Sequence, residues 1–578
     1  MNAPAPALHR AVELHQAGRL AEAEVLYRGV LAERPDEPDA LHLMGVLCHQ
    51  AGRPDEAVEL LDRAVAAKPR NPDFHADFGK VLYALRRFPA AAAAFQRAVD
   101  CDPGNADAWA GLGEARRDQG EWDGAAAAFR QTLAIKPGDA AAQANLGMAL
   151  VKAARFDEHV TQLEAALAGA CPSEKAVSAL FLQAFLNPLV GIEQESALAA
   201  AAGAKLSRGP APKRAPPTGG QPPPARLRVG YLSSYYSRKN YLGFLDSIRK
   251  LHDTSKFDVR IYASDRCIGP DDGVRDVSAL GNDELCRKIR KDGIHILVDT
   301  DTYGAPGRLG LLARKPAPIV VSWFNAFSST GIAAVDYLFA DSFVAPPEED
   351  RFYPERIYRL PGCYVLWDKP KQAPEMHAPP MLFRGRCTFG SLASDIKINA
   401  ETVRVWSEIL KAVPDSTILI RNEDINEHNS QSYRRAFERH GVDPGRVELL
   451  GGVPHHDFLE TYRRIDIVLD TFPRNGGTTT AEALWQGAAV VTLQGARWVS
   501  RVGATILNAV GRPEWVAETV DGYVRLAASL ARHPERLRDW RRAQREDMAG
   551  SIFCDAERFT RNLEAAYAAI AREKEILP

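Results

Sequence analysis

Long apolar runs are missing. Nowhere in the 578 residues does an uninterrupted apolar stretch approach the roughly 18 residues that a membrane-spanning helix needs. The opening MNAPAPALHRAVELHQAG lacks a basic start followed by an apolar core, so no signal peptide is expected. Paired cysteines are missing as well. The eight cysteines are scattered without a C-x-x-C pair, a poor framework for disulfides or zinc, and a reducing cytoplasm is the expected setting. Charge of one sign is also missing. Lys and Arg number 72 and Asp and Glu 74, for a net charge of -2, which argues against bulk binding to nucleic acid or anionic membranes. No G-x-x-x-x-G-K-[ST] motif occurs, which excludes a nucleotide-hydrolysing P-loop. What is there, 46% hydrophobic and 25% charged residues, is ordinary for a globular chain of three or so domains.

The first third repeats. Pro35, Pro69, Pro103 and Pro137 are spaced by 34, and Gly45, Gly79, Gly113 and Gly147 keep the same step. So do Ala23, Ala57, Ala91 and Ala125, the large row Tyr27, Leu61, Phe95 and Phe129, and the row Val30, Ala64, Ala98 and Thr132. This is the tetratricopeptide period. Small residues let the two helices of a repeat approach, the large residue is expected to fill the gap to the next repeat, and proline ends the second helix. About five repeats are expected over residues 1–172, the last degenerate, with His159 at the alanine position and Cys171-Pro172 at its end. Such α-solenoids offer a groove for a partner protein, though a structural or dimerising array is the plainer alternative.

Residues 173–206 read as a helical extension. Residues 207–225, with seven prolines and three glycines, read as a linker. Beyond it, short apolar runs alternate with helical stretches: LRVGYLSS, FDVRIYAS, IHILVDT, PIVVSWF and YLFAD, then CTFGSLAS, TILIRN, RVELLG, IDIVLD and AAVVTLQ. Two doubly wound parallel-sheet domains are predicted, at 226–384 and 385–553, with a ligand crevice at the carboxyl ends of their strands. Residues 554–578 form an amphipathic helix expected to cover the first of these domains. Trp323, Trp406 and Trp485 are expected in cores, and RKIRK (287–291) on a solvated helix face.

The stretch PRNGGTTTAEALWQ (473–486) follows the strand IDIVLD and opens a helix that Gly487 is placed to end. Helix-start N–H groups point outward with partial positive charge, glycine permits close approach, and threonine adds donors. Asn475, Gly476, Gly477, Thr478, Thr479 and Thr480 therefore suit a phosphate cradle, with an ordinary threonine N-cap as the plainer reading. Lys397 lies on the turn after the first strand of the same domain, before a helix for which Asn399 is the expected N-cap. A lysine there can neutralise a departing phosphate, although a solvated lysine is commoner. Arg501, in GARWVSR, either faces the same phosphates or bonds a helix end. Asp299-Thr300-Asp301 matches D-x-D metal motifs weakly, and His455-His456 lacks a third ligand at useful spacing, so no metal or other cofactor is expected.

These blocks resemble the protein O-linked N-acetylglucosamine transferases, in which tetratricopeptide repeats precede a GT-B glycosyltransferase of two Rossmann-like domains. The resemblance spans almost the whole chain. It is carried by GYLSSYY (230–236), residues 292–324, FGSLASDIKINAETVRVWSEIL (389–410) and residues 466–507. It implies that Lys397 is the phosphate-binding lysine, Thr478 and Thr479 the paired threonines and Glu482 the ribose-binding carboxylate. Val453-Pro454-His455 is then the base-reading loop, and His295 a crevice histidine. It also implies an inverting, metal-independent reaction. Candidates for the general base are His295, Asp299, Asp301 and Lys239, the last standing where the family has a histidine.

The chain departs from the family at Tyr235, at Lys239-Asn240, at Ile396 beside the lysine, at Gly477 before the paired threonines, and at Phe458. The asparagine row of the repeats is reduced to Leu43, Asp77, Gly111 and Asn145. Three readings stay open. One is a subgroup similar to this family that modifies flagellin in the bacterial cytoplasm from a CMP-linked nonulosonate. Another is a UDP-N-acetylglucosamine-dependent transferase. The third is an inactive scaffold, against which the retained cradle and Lys397 argue.

Overall fold

The computed structural model describes residues 5–169, 173–207, 224–236, 244–265, 273–304, 307–370 and 372–577. Lys239, Asn240, Cys171, Pro172 and most of the expected 207–225 linker lie outside them. Two compact units divide the chain: Met1–Ala153 with Glu427–Tyr433, and Ala154–Asn426 with Arg434–Pro578.

Residues 5–152 of the first unit are antiparallel helix pairs: α1 (Ala5–Gln16) with α2 (Leu20–Glu33), α3 (Pro38–Gln50) with α4 (Pro54–Ala67), α5 (Pro72–Ala84) with α6 (Phe88–Cys101), α7 (Ala106–Asp118) with α8 (Trp122–Ile135), then α9 (Ala140–Lys152). The proline row lies just past each second helix, where a missing N–H costs nothing. The large row faces both ways: Leu61 clusters with Val81 and Phe129 with Leu146 of the next repeat, as expected, and each also covers a glycine of its own repeat. A Cβ on Gly45 would stand 2.7 Å from Leu61, one on Gly79 2.8 Å from Phe95, and one on Gly113 2.6 Å from Phe129. The large residue thus fills the space over the glycine of its own repeat. Phe95 also reaches forward, to 2.5 Å from a Cβ on Gly111 of the next. Of the reduced asparagine row, Asp77 is bound by His42 (2.9 Å) and Asn145 accepts from Arg117 (3.2 Å).

Helices α10 (Phe156–Ala168), α11 (Glu174–Ala184) and α12 (Ile192–Leu206) belong to the second unit. Their Leu163, Phe181, Phe185 and Leu198 bury against Tyr303, Leu309, Ile332 and Val499 of the α/β part. His159 is buried on α10, and Asn187 donates to its Nδ1 at 3.0 Å. Burial pulls its imidazole down to about 4, so it is a neutral core residue. Between α12 and the loop at Gly331, backbone touches backbone. A Cβ on Gly203 would stand 2.0 Å from the Gly331 carbonyl, and only glycine fits there.

Two parallel sheets follow. The first holds β1 (Leu227–Ser233), β2 (Phe257–Ala263), β3 (Val274–Asp276), β4 (Ile296–Asp299), β5 (Ile319–Ser322), β6 (Tyr337–Ala340) and β7 (Arg356–Arg359), in the order β3-β2-β1-β4-β5-β6-β7. The second holds β8 (Thr388–Ser391), β9 (Thr417–Arg421), β10 (Val447–Leu450), β11 (Ile467–Leu469), β12 (Ala489–Leu493) and β13 (Val516–Ala517), in the order β10-β9-β8-β11-β12-β13. In each sheet the order reverses beside the first strand, and a crevice opens there at the carboxyl ends. The last helix, Ala556–Glu573, returns to the first sheet. Tyr567 meets Tyr231 of β1 hydroxyl to hydroxyl at 2.8 Å, and Glu564 accepts the Asp253 N–H at 2.7 Å. Trp323, Trp406 and Trp485 are all buried. No described helix is long and apolar enough to cross a membrane.

Because Phe95 closes the space over glycines of two successive repeats, Phe95→Ala should cost about 3–5 kcal/mol, the upper range for such a truncation. Leu61→Ala should cost less. Urea unfolding followed by far-UV circular dichroism measures both, and equal losses would refute the double role of Phe95.

Candidate active site

The second sheet delivers the loop between β11 and the helix Thr478–Trp485, and a buried carboxylate fixes it. Asp470 accepts the N–H groups of Gly476 (2.7 Å) and Thr471 (2.9 Å) and the hydroxyl of Thr492 (2.7 Å). A Cβ on Gly476 would stand 2.3 Å from the Thr480 hydroxyl, so glycine is required by close packing and Thr480 faces the loop's own interior. The Asn475 side chain donates to Thr471 O (3.0 Å) and Leu493 O (3.3 Å). Asn475 therefore braces the loop and offers its carbonyl outward.

Lys397 meets that carbonyl. Its Nζ donates to Asn475 O at 2.9 Å, leaving two further N–H donors. It follows β8 on a short 3-10 turn ahead of the helix Ala400–Ala412, which Asn399 caps by accepting the Thr402 N–H at 2.9 Å. Asn399 and Thr402 also donate to Phe472 O, tying the lysine's turn to the cradle loop. Burial, then the charge of Arg474, pulls the Lys397 ammonium down to about 7, with Asp470 opposing.

Gly477 caps the helix Thr478–Trp485 with no side-chain bond, so the plain threonine N-cap is not what forms. The opening N–H groups have no carbonyl within the helix to meet. Gly487, at φ +78°, ends the same helix.

Between the two α/β domains lies a cleft of about 280 Å³. Lys397, Arg474, Asn475, Gly477, Thr478 and Thr479 line it from one side, and Phe324, Asn325 and Phe327 from the other. The structure thus gathers the lysine, the glycine and the paired threonines. Arg474 was quoted in the loop but given no role by the sequence reading. Its charge beside an N-G-G turn was the available signal.

Glu482 is buried on the cradle helix, three residues past Thr479 and so on the same side of it. His455 Nε2 stands 2.7 Å from its carboxylate, and that contact raises the imidazole above its ordinary value. Neither residue lines the described cleft. Val453 is exposed on the loop just before His455.

Four expected residues stand elsewhere. His295 precedes β4, at the amino end of the strand, whereas the crevice lies at the carboxyl end. Its Nδ1 accepts the Arg228 N–H at 3.0 Å, and burial with the Arg228 charge pulls it down to about 4. It is a brace for the sheet rather than a crevice group. Asp299, at the carboxyl end of β4, accepts the Thr302 N–H at 2.9 Å, and burial pushes it up to about 7. Asp301 accepts the Ser234 N–H at 2.6 Å. Both sit behind Asn325, which donates to Thr300 O at 3.1 Å, and neither lines the cleft. Arg501 spends its guanidinium on Glu349 (2.7 and 2.9 Å) and on the carbonyls of Val344, Gly495 and Ala496, so it clasps the two domains instead of facing phosphate. Among the described residues no cluster of three His, Cys, Asp or Glu side chains could hold a metal ion.

Two outcomes follow. Anion binding requires charged Lys397, whose pKa in the empty cleft is about 7. Between pH 7.5 and 9 a nucleotide phosphate stays doubly ionised while the lysine loses its proton. The dissociation constant for CMP or UDP should therefore rise about tenfold per pH unit. Lys397→Ala should bind more weakly and show no such slope in calorimetric titration. Arg501→Gln leaves half-buried Glu349 unpaired and should cost about 1–3 kcal/mol of stability, seen as a lower melting temperature. Its nucleotide affinity should stay within about twofold, and a larger loss would return Arg501 to the phosphates.

Residues 217–382 and 385–563 match glycosyl transferase family 41, and residues 14–76 and 77–140 match tetratricopeptide repeats. The chain is 32% identical over 364 residues to a probable UDP-N-acetylglucosamine--peptide N-acetylglucosaminyltransferase, SPINDLY, of Petunia hybrida, covering 61% of this chain and 39% of that one. It is 27% identical over 361 residues to the protein of the same description named SEC of Arabidopsis thaliana, covering 59% and 37%. The chain spans about two-fifths of the length of these curated relatives. A solved lysine-to-methionine mutant of the Thermobaculum terrenum O-GlcNAc transferase superposes with a TM-score of 0.69 at 31% identity, over 87% of this chain and 98% of that one. With tetratricopeptide repeats ahead of a two-domain GT-B region, the chain belongs to glycosyl transferase family 41.

Proposed function

We propose that this protein transfers a sugar from a nucleotide-sugar donor to serine or threonine hydroxyls of a protein held by its repeats, in the cytoplasm. The observation that carries this reading is the cleft in which Lys397 and the uncapped helix start at Thr478 and Thr479 face one space. The acceptor oxygen forms a bond to the anomeric carbon as the carbon–phosphate-oxygen bond breaks. The electron pair leaves with the nucleotide phosphate, whose growing charge Lys397 and the helix N–H groups stabilise. The hydroxyl proton passes to a base. We propose Lys239, which stands where the resembling family has a histidine and lies outside the described residues, as that base once its ammonium has lost a proton. His455 and Glu482 are proposed to hold the nucleoside, with the backbone of Val453 reading its base.

For the donor we infer a CMP-linked nonulosonate, and for the acceptor bacterial flagellin. Gly477 adds no side chain where the resembling family has a histidine, which suits a donor with one phosphate fewer. The names of the relatives favour a second reading, UDP-N-acetylglucosamine as donor.

Purified protein, flagellin and CMP-pseudaminate should yield glycosylated flagellin by intact-mass spectrometry. Lys397→Ala should lower the rate by at least about a hundredfold, the scale of losing one transition-state charge contact. Transfer from UDP-N-acetylglucosamine alone would establish the second reading, and an unimpaired Lys397→Ala would sink both.

A further inference from the structure

The cleft changes character beside Gly477. Packing demands glycine at 476 but not at 477. Among the described residues a Cβ on Gly477 would meet one heavy atom, Val502 Cγ1 at 3.9 Å, and its φ of −123° lies outside the left-handed region. The resembling family has a histidine there. A space thus stands over the residue that caps the helix Thr478–Trp485, in the cleft that Gly477 and Val502 both line. The wall on that side is apolar. Val502 and Ile506 lie four residues apart on the helix Val502–Ala509, so on one face of it, and both line the cleft. Leu366, Trp367 and Phe553 continue the lining. The Trp367 N–H bonds Phe553 O at 2.9 Å, and the two rings stack with centroids 6.4 Å apart and planes 4° from parallel. A hydroxyl set against Val502 and Ile506 gives up water and gains no partner from either side chain, whereas a methyl group gains by its burial.

We propose that the space over Gly477 seats a methyl or acyl group of the donor sugar against Val502, so that the site selects deoxy and N-acylated sugars over fully hydroxylated ones. This rests on the reading above that the cleft takes a nucleotide-sugar donor, and holds for either nucleotide. The occupant is the donor rather than the acceptor because Gly477 directly precedes Thr478, where the helix start holds the phosphate. A group that fills the space is therefore carried by the sugar bonded to that phosphate. The cleft divides its ligand accordingly, with charge at Lys397 and the threonines and methyl groups at Val502 and Ile506. Val502 is then a specificity-determining residue, acting on the sugar and not on the nucleotide.

Calorimetric titration of the full chain tests this, with CMP, UDP and two pairs of sugar nucleotides. CMP-pseudaminate carries a methyl and a second acylamino group where CMP-N-acetylneuraminate has hydroxyls, and UDP-N-acetylglucosamine carries an acylamino group where UDP-glucose has one. Within the pair that the wild type binds, the more acylated sugar should bind at least about tenfold tighter. Val502→Thr, which sets a hydroxyl in place of a methyl, and Val502→Ile, which adds a methyl to the space, should each weaken that sugar nucleotide at least about tenfold. The bare nucleotide should change less than about twofold, which also shows that each variant is folded. Equal weakening of nucleotide and sugar nucleotide would make Val502 a prop for the cradle and overturn the proposal. So would no weakening of either, a preference for the hydroxylated sugar, or a raised acceptor KM with donor affinity unchanged. Wild-type protein that binds none of the four sugar nucleotides would overturn the donor reading itself. That outcome is seen before any variant is made, so the two failures are distinct.

Discussion

The site depends on one buried carboxylate. Asp470, at the end of β11, is surrounded by donors: two backbone N–H groups of the loop it precedes and the hydroxyl of Thr492 on the next strand. Burial raises its pKa, and these three bonds hold it back. A carboxylate in such a position cannot be moved without leaving donors unpaired. It therefore dictates where Gly476 lies, hence where the Asn475 carbonyl points, hence where Lys397 is held. The cradle is held from below by these bonds, and the Asn475 side chain braces it further.

A second set of constraints holds the halves of the transferase region in register. Arg497 is nearly fully buried and donates to Glu195 of α12 (2.8 Å) and to the carbonyls of Ala184 (2.9 Å) and Asn187 (3.0 Å). Arg501, four residues on, grips Glu349 on the side of the first sheet. One short stretch of the second domain thus clasps both the preceding helices and the first domain. Buried pairs of this kind contribute little net stability, but breaking one leaves an uncompensated charge, which favours a single arrangement over its alternatives. The last helix adds an apolar tie of the same sense, stacking Phe559 on Trp323 with centroids 5.8 Å apart.

The repeats were legible in the sequence because stacking repeats the same contact, so glycine, alanine and the large row recur at fixed offsets. The forward contact of the large residue was legible, whereas its second contact, with the glycine of its own repeat, was not, since a period does not show that Phe129 also closes over Gly113. The parallel sheets were legible from alternating apolar runs, and the cradle from its place between a strand and a helix. His295 was misread although the signal was present. It precedes the apolar run ILVD, which puts it at the wrong end of the strand. Arg501 was not legible at all, because its partner Glu349 lies far off in sequence and nothing local marks the pair. The clasp by Arg497 was hidden for the same reason.

The electrostatics of the cleft differ from those of a simple surface site. A lysine kept fully charged in an empty cleft would be neutralised by any passing anion. Lys397 is instead pulled down to about 7 by burial and by Arg474, so on the proposed reading an entering phosphate raises it again and meets the charge it favours. In the proposed transfer the same coupling acts at departure, when the ammonium favours a leaving nucleotide that carries its full charge. After burial, Arg474 is the element that lowers the lysine's charge, from the loop whose Asn475 carbonyl Lys397 meets, on a backbone that Asp470 and Thr471 hold still.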